Sequence, residues 1–359
     1  MSITALALAG GTTWWLAPTH AMASDVWRDL RDRLRHLPGA GSSEVERRID
    51  LHGGGSISVR SAHQPDLLRG AGLDHVVLDE AAFMEPGVWP QVVRPMLLDR
   101  NGSAMFLSTP FGRNWFYDLY RLGVDPDMPE WSAWQFTSAD NPRISAAELA
   151  VIRRTTPERV YREEYLAEFL DDAGQVFRGI TQAATAPTDA RPVAGRRYAA
   201  GVDWGRDHDY TAIAIIDAET GHMVALDRFR GVGWSLQRGR LAALCARWQP
   251  SVIWAEANSI GAPNIEALQA EGLPVRPFHT TARSKPALIE ALALAIEQGE
   301  IGLLPDPVLL HELAAYGLER QPGGGYRYGA PSGSHDDTVI AVALAWYGVR
   351  QGGTRVDFA

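Results

Sequence analysis

The sequence is short of three things, and each shortage removes a class of protein. It has one cysteine, Cys245. A lone thiol makes no internal disulfide and no cysteine-based zinc site, which suits a reducing compartment. Nowhere does it approach the ~20 apolar residues needed to cross a bilayer. The mildly apolar opening, Met1–Gly11, holds no Lys or Arg to make a secretory leader, so it reads as part of a helix. Lysine occurs once, at Lys285; almost every other cation is arginine. The formal net charge of −9 argues against a protein that coats nucleic acid, because counterion release needs clustered basic groups. It leaves open an enzyme that holds DNA over a carboxylate-lined metal site.

What is present suits a soluble protein of two domains, since 359 residues exceed one ordinary core. The first half alternates strand-like and helical runs, as an α/β sheet requires. Thr13–Ala17 is a strand stopped by Pro18, and Ala21–Leu37 an amphipathic helix ending before Pro38-Gly39. Ser56–Ser61, His75–Leu78 and Ala104–Ser108 are strands whose apolar runs suit parallel pairing with both faces buried. From Ala146 to Leu170 the chain reads as a charged helix, and Asp171–Arg191, rich in Ala, Thr, Gly and Pro, as a linker. In the second half Tyr198–Val202, Thr211–Asp217 and His222–Phe229 are joined by short turns and predict an antiparallel meander. Helices over Leu236–Trp248 and Ala262–Glu271 alternate with strands over Ser251–Ala255 and Pro274–Phe278. A long helix, Pro286–Gln298, and an apolar one, Asp337–Tyr347, close the chain. A meander followed by alternating α and β is the order of a ribonuclease H-like domain.

Three carboxylates of this half fall at element ends. Asp203 ends the first meander strand in GVDWG, Glu256 ends VIWAE, and Asp336 with Asp337 opens the last helix in HDDTVIAVALAW. Each has an ordinary reading by itself, as a turn former or a helix cap. Together they suit two hard divalent ions, which take oxygen ligands and clamp the attacking and leaving oxygens of a phosphodiester. In the following turn Asp209 either supports a metal through water or sits in solvent, and Asp207 shares that turn. His335 either approaches a phosphate or only extends its loop.

In the first half HVVLDEAAF (75–83) has the Walker B pattern, an apolar strand ending in two acids. In that reading Asp79 orders Mg²⁺ and Glu80 polarises the water that attacks ATP. A strand later, Ser108-Thr109-Pro110 close the run MFLSTP, which is either a strand stop or a group beside the γ-phosphate. Arg28, Arg31 and Arg35 recur at helical spacing and read as a solvated face rather than a DNA contact. Trp14, Trp15, Trp131 and Trp134 read as core aromatics rather than base-stacking platforms.

These segments, taken with WWLAPTH (14–20), LLRGAGLDHVVLDEAAF (67–83), LSTPFGRNWFYDLY (107–120), YREEYLAEFLDDAGQVF (161–177), GVDWGRDHDYTA (201–212) and WAEANS (254–259), resemble the large terminase subunits of tailed phages, in that family's order. The resemblance implies a parallel-sheet ATPase-like domain over 1–140, a linker subdomain over 141–192 and an RNase H-like nuclease domain over 193–352. It implies an endonuclease that cuts concatemeric duplex DNA with two Mg²⁺ or Mn²⁺ ions, and it makes Ser108–Pro110 the ATPase-coupling motif, with Arg113 nearby. Its implied partners are DNA, the portal protein, a small terminase subunit and further copies at the portal, in the cytoplasm of a bacterial host. The sequence departs from the family at one point: it has no G-x-x-x-x-G-K-[ST] loop, and Gly10-Gly11-Thr12 lies on the wrong side of the first helix to replace it. Met1–Ala9 therefore reads as the tail of the helix that follows such a loop, and weak ATP binding is the expectation. Two other readings stand beside the nuclease: a silent prophage remnant or portal-docking component, and a junction resolvase of the same fold, for which the Walker B and STP segments have no use.

Overall fold

The computed structural model describes residues 3–37, 39–171, 174–205, 209–258, 261–320 and 326–351; Asp207 lies outside them. The chain divides into two compact units, Met1–Asn141 with Arg162–Asp171 and Arg320–Tyr326, and Pro142–Tyr161 with Asp172–Glu319 and Arg327–Ala359.

In the first unit the helices are α1 (Ile3–Leu8), α2 (His20–Leu34), α3 (Arg94–Leu98) and α4 (Trp115–Val124). The strands are β1 (Thr12–Ala17), β2 (Gly41–Ser43), β3 (Arg48–Asp50), β4 (Ser56–Ser61), β5 (His75–Asp79) and β6 (Ser103–Leu107), and they form one sheet in the order β2-β3-β4-β1-β5-β6. β4, β1, β5 and β6 run parallel, while β2 and β3 add an antiparallel edge. The sequence hides that edge because GSS and RID have no apolar alternation to reveal it. One face of the sheet buries Leu16, Leu78 and Val76 against Val88–Leu97, and the other buries Ala17, Ile57 and Val59 against α2. Two faces buried under helices account for the continuous apolar runs of β1 and β5.

In the second unit the elements are α5 (Ala146–Thr155), α6 (Glu158–Val160), α7 (Ile180–Ala183), β7 (Tyr198–Asp203), β8 (Thr211–Asp217), β9 (Met223–Phe229), α8 (Trp234–Trp248), β10 (Val252–Glu256), α9 (Gly261–Ala270), β11 (Val275–Phe278), α10 (Ser284–Glu297), α11 (Pro307–Ala315), β12 (Gly317–Arg320), β13 (Tyr326–Gly329) and α12 (Asp337–Gln351). The five-stranded sheet has the order β11-β10-β7-β8-β9. β7, β8 and β9 pair antiparallel, and β10 and β11 join parallel beyond β7. An antiparallel meander with parallel strands added beside its first member is the RNase H-like arrangement. The charged helix expected over 146–170 is shorter than that, for Pro157 cannot continue α5, which stops at Thr155.

The period-2 alternation of the central strands sorts their side chains. Ala200, Val202, Ile213, Ile215, Ile253 and Ala255 face α8 and α9 with Leu241, Cys245 and Trp248. Ala212, Ala214 and Ile216 face α10 and α12. α12 lies directly on β7 because Gly201 has no side chain. A Cβ there would stand 2.0 Å from the Ala341 carbonyl oxygen and 2.3 Å from the Ala345 nitrogen.

A candidate metal centre at the ends of β7, β10 and α12

Asp203 has the parity of Ala199 and Gly201, so it points to the α12 side of the sheet. On the parallel neighbour the register pairs Ala255 with Val202, and the next step sets Glu256 beside Asp203. α12 starts over this same edge, with Asp337 in its first turn and Asp336 just before it. Three separate elements thus bring four carboxylates to the same edge of the sheet.

The electrostatics are those of crowded acid. Asp203 is buried, and burial, then the neighbouring and hydrogen-bonded Glu256, then Asp337 and Asp336 push its pKa well above the usual aspartate range. Asp337 rises to about 7, first through burial and then through the nearby Glu312, with Arg228 opposing. Cations approach from two sides. Lys285, at the start of α10, places Nζ 3.5 Å from Asp336 Oδ2. Arg228, on β9, places Nη2 3.7 Å from Asp337 Oδ2. His335 Nδ1 is 3.7 Å from Asp337 and 4.0 Å from Asp209, whose side chain is largely exposed. Asn258 donates to Glu256 at 3.2 Å.

The donor chemistry fits a hard divalent cation: oxygen ligands only, a buried Asp203, and a buried Asp337 Oδ2 that receives no hydrogen bond. Among the described residues, however, no group of three or more acidic, histidine or cysteine side chains stands close enough to hold an ion as placed. Uncompensated carboxylates repel, and the cations beside them are Lys285, 3.5 Å from Asp336, and Arg228, 3.7 Å from Asp337. Lys285, Arg228, Glu312 and Tyr210 are site neighbours that sequence reasoning missed. The one signal available was that the sole lysine of the chain had no other assigned task.

The first unit carries a second acidic pair. Asp79 ends β5 and accepts from Trp15 Nε1 at 3.2 Å. Glu80 follows with a left-handed backbone, φ 53°, uncommon for a side chain of its size and typical of functional turns. Ser108 donates its hydroxyl to Glu80 at 3.3 Å and accepts from the Ala82 amide at 3.1 Å. Burial raises both acids above the usual range, Glu80 further through Asp79. Thr109 and Pro110 continue from Ser108 past the end of β6, and Arg113 pairs with Asp171 at 2.6 Å. Arg28 and Arg31 pair with acids of the exposed α2 surface and its surroundings. Trp14 is buried and Trp15 and Trp131 half-buried, whereas Trp134, expected in the core, is 72% exposed.

Two family profiles match the chain: "Terminase large subunit, T4likevirus-type, N-terminal" over residues 41–182 and "Terminase RNaseH-like domain" over 200–346. The chain is 29% identical to the large terminase subunit of Thermus virus P23-45 across 94% of its own length and 78% of that protein. Among solved structures it is similar to the large terminase of a thermophilic bacteriophage, with TM-score 0.53 and 16% identity over 93% of this chain and 85% of that one. It is also similar to the large terminase nuclease of thermophilic phage G20c with bound magnesium, with TM-score 0.46 and 30% identity over 48% of this chain and 97% of that one.

Proposed function

Because the chain belongs to the phage terminase large-subunit family, with an ATPase-like parallel-sheet domain and an RNase H-like nuclease domain, we propose that residues 193–352 cut duplex DNA with two divalent ions. Asp203, Glu256, Asp336 and Asp337 would hold Mg²⁺ or Mn²⁺, with Asp209 assisting through water. Such ions would activate the attacking water and neutralise the leaving oxygen. The observation that carries this reading is the convergence of Asp203, Glu256 and the Asp336–Asp337 turn on one sheet edge. Structural carboxylates seldom crowd so, since burying like charges together is costly unless a cation offsets them.

The protein's own residues set up the reaction. Gly201 lets α12 lie against β7, which fixes Asp337 relative to Asp203. In-line attack of water on phosphorus breaks the phosphorus–oxygen bond opposite, leaving one phosphate end and one hydroxyl end. In residues 1–140 we read Asp79 and Glu80 as the metal-ordering and water-polarising acids of an ATPase site, and Ser108–Pro110 as its coupling segment. Residues 141–192 are the linker between the two activities. The protein's setting in this proposal is the cytoplasm of a bacterial host, where several copies meet a portal protein and a small terminase subunit. Among the described residues no helix is long and apolar enough to cross a membrane.

The test is cleavage of supercoiled plasmid with Mn²⁺, Mg²⁺ or EDTA, beside Asp203→Ala. Metal-dependent cutting that vanishes in the variant supports the nuclease. A folded protein that cuts with neither metal would sink it, in favour of a silent or docking component.

A further inference from the structure

Among the described residues the second unit buries two acids that the proposed metal site does not use, Asp217, which pairs with Arg196, and Glu312. Glu312 is 4% exposed on α11, whose other residues are mostly apolar (PVLLHELAA). Its two oxygens face different partners. Oε2 accepts the Thr338 amide at 2.9 Å and also the Thr338 hydroxyl, which pins the first turn of α12 directly after Asp337. Oε1 lies 2.9 Å from Nη2 of Arg228. That same nitrogen is 3.7 Å from Asp337 Oδ2. One guanidinium nitrogen therefore faces two carboxylates and sits nearer Glu312.

Arg228 has little freedom to move away. Its side chain is 18% exposed, and its guanidinium carbon stands 3.3 Å from the centroid of the Tyr210 ring, which in turn meets His335 edge to face at 5.0 Å. A planar guanidinium on an aromatic platform keeps its orientation. Without Glu312 its nearest buried anion would be Asp337, and the pair would close. As things stand Glu312 Oε1 and Asp337 Oδ2 are both buried and neither receives a hydrogen bond, and Arg228 stands nearer Glu312, at 2.9 Å against 3.7 Å.

We propose that Glu312 is a positioning residue of the metal site: by holding Arg228 it keeps the guanidinium off Asp337, whose free oxygen then remains available to a divalent cation. This rests on the nuclease reading above. Glu312 acts by competition for Arg228 rather than by touching the ion, so its effect must disappear when Arg228 is absent. A merely structural glutamate would matter equally with or without it.

The experiment is Mn²⁺ binding by calorimetry to the full 359-residue chain, in wild type, Glu312→Gln, Arg228→Gln and the double variant, with plasmid cutting measured alongside. Glutamine keeps an oxygen for Thr338 and loses the charge. Glu312→Gln should raise the half-saturating Mn²⁺ concentration by roughly five-fold or more, within the range of neighbouring-residue couplings. Arg228→Gln should bind at least as tightly as wild type, and the double variant should match it. Equal affinity in Glu312→Gln and wild type, or an equal loss in both Arg228 backgrounds, would overturn the proposal. If Glu312→Gln fails to fold, weaker binding by Arg228→Gln alone would do the same. Wild type that binds Mn²⁺ with the expected pattern and cuts nothing would remove the nuclease reading and leave the positioning role. Cutting without the pattern would do the reverse.

Discussion

Both units end parallel strands in acid, yet the two acidic ends are surrounded differently. At β5 the carboxylates of Asp79 and Glu80 meet neutral donors, the Trp15 indole and the Ser108 hydroxyl, with backbone strain at Glu80. At β7 and β10 the carboxylates meet one another, and cations only at the rim. Hydrogen bonds to neutral donors can satisfy one or two buried acids. Four converging acids with two cations beside them are the arrangement on which the proposed divalent-ion site rests.

The sharpest way to break this comparison is to remove one acid from each end. Asp203→Asn should lower plasmid cutting by about 100-fold or more, the scale expected on losing a ligand rather than its neighbour. It should also weaken stabilisation by Mn²⁺, while Asp79→Asn leaves cutting intact. Equal losses in the two variants would show that the acidic ends are not distinct in kind.

Next in size is Gly201→Ala. With 2.0 Å to the Ala341 carbonyl oxygen, α12 must shift, and the cost should reach about 3 kcal/mol, the upper end of overpacking. Denaturant midpoints measure it, and Mn²⁺ binding should weaken in proportion as Asp337 moves from Asp203.

The third effect is a pH dependence. Asp337 has a folded pKa raised to about 7 from an ordinary 3.8. A carboxyl raised on folding binds protons in the folded state. Its contribution to stability is therefore full below the ordinary value and is lost as pH climbs toward about 7. The metal-free melting temperature should fall through that window, and the stabilisation given by Mn²⁺ should grow across it. A flat profile with EDTA would mean that the carboxylates are already compensated. The smallest effect belongs to the first unit: Ser108→Ala removes donors and acceptors to Glu80 and Ala82 and should cost about 1 kcal/mol in thermal unfolding.

The elements most legible in the sequence were those with a strong period or a sharp stop. β7, β8 and β9 read as a meander because turn residues separate apolar runs, and the closing helix read as α12 because its apolar residues begin at an acidic cap. The short strands β2 and β3 were not legible, since three residues without apolar alternation carry no period. The candidate ligands were legible because each sits at an element end. Their companions were not: Glu312 lies inside an apolar helix, Arg228 inside a strand, and Lys285 at the start of α10, and only packing brings them beside Asp336 and Asp337.

The sequence by itself determined the order of the strongly patterned elements, the acids at the ends of β5, β7 and β10, and the family, because local period, turn chemistry and motif spacing are written along the chain. Only the tertiary structure decided which charges share a site. Contacts such as Arg228 with Glu312 and Lys285 with Asp336 join residues far apart in sequence. The pKa of a buried carboxyl is set by those neighbours and by burial rather than by the residues on either side of it.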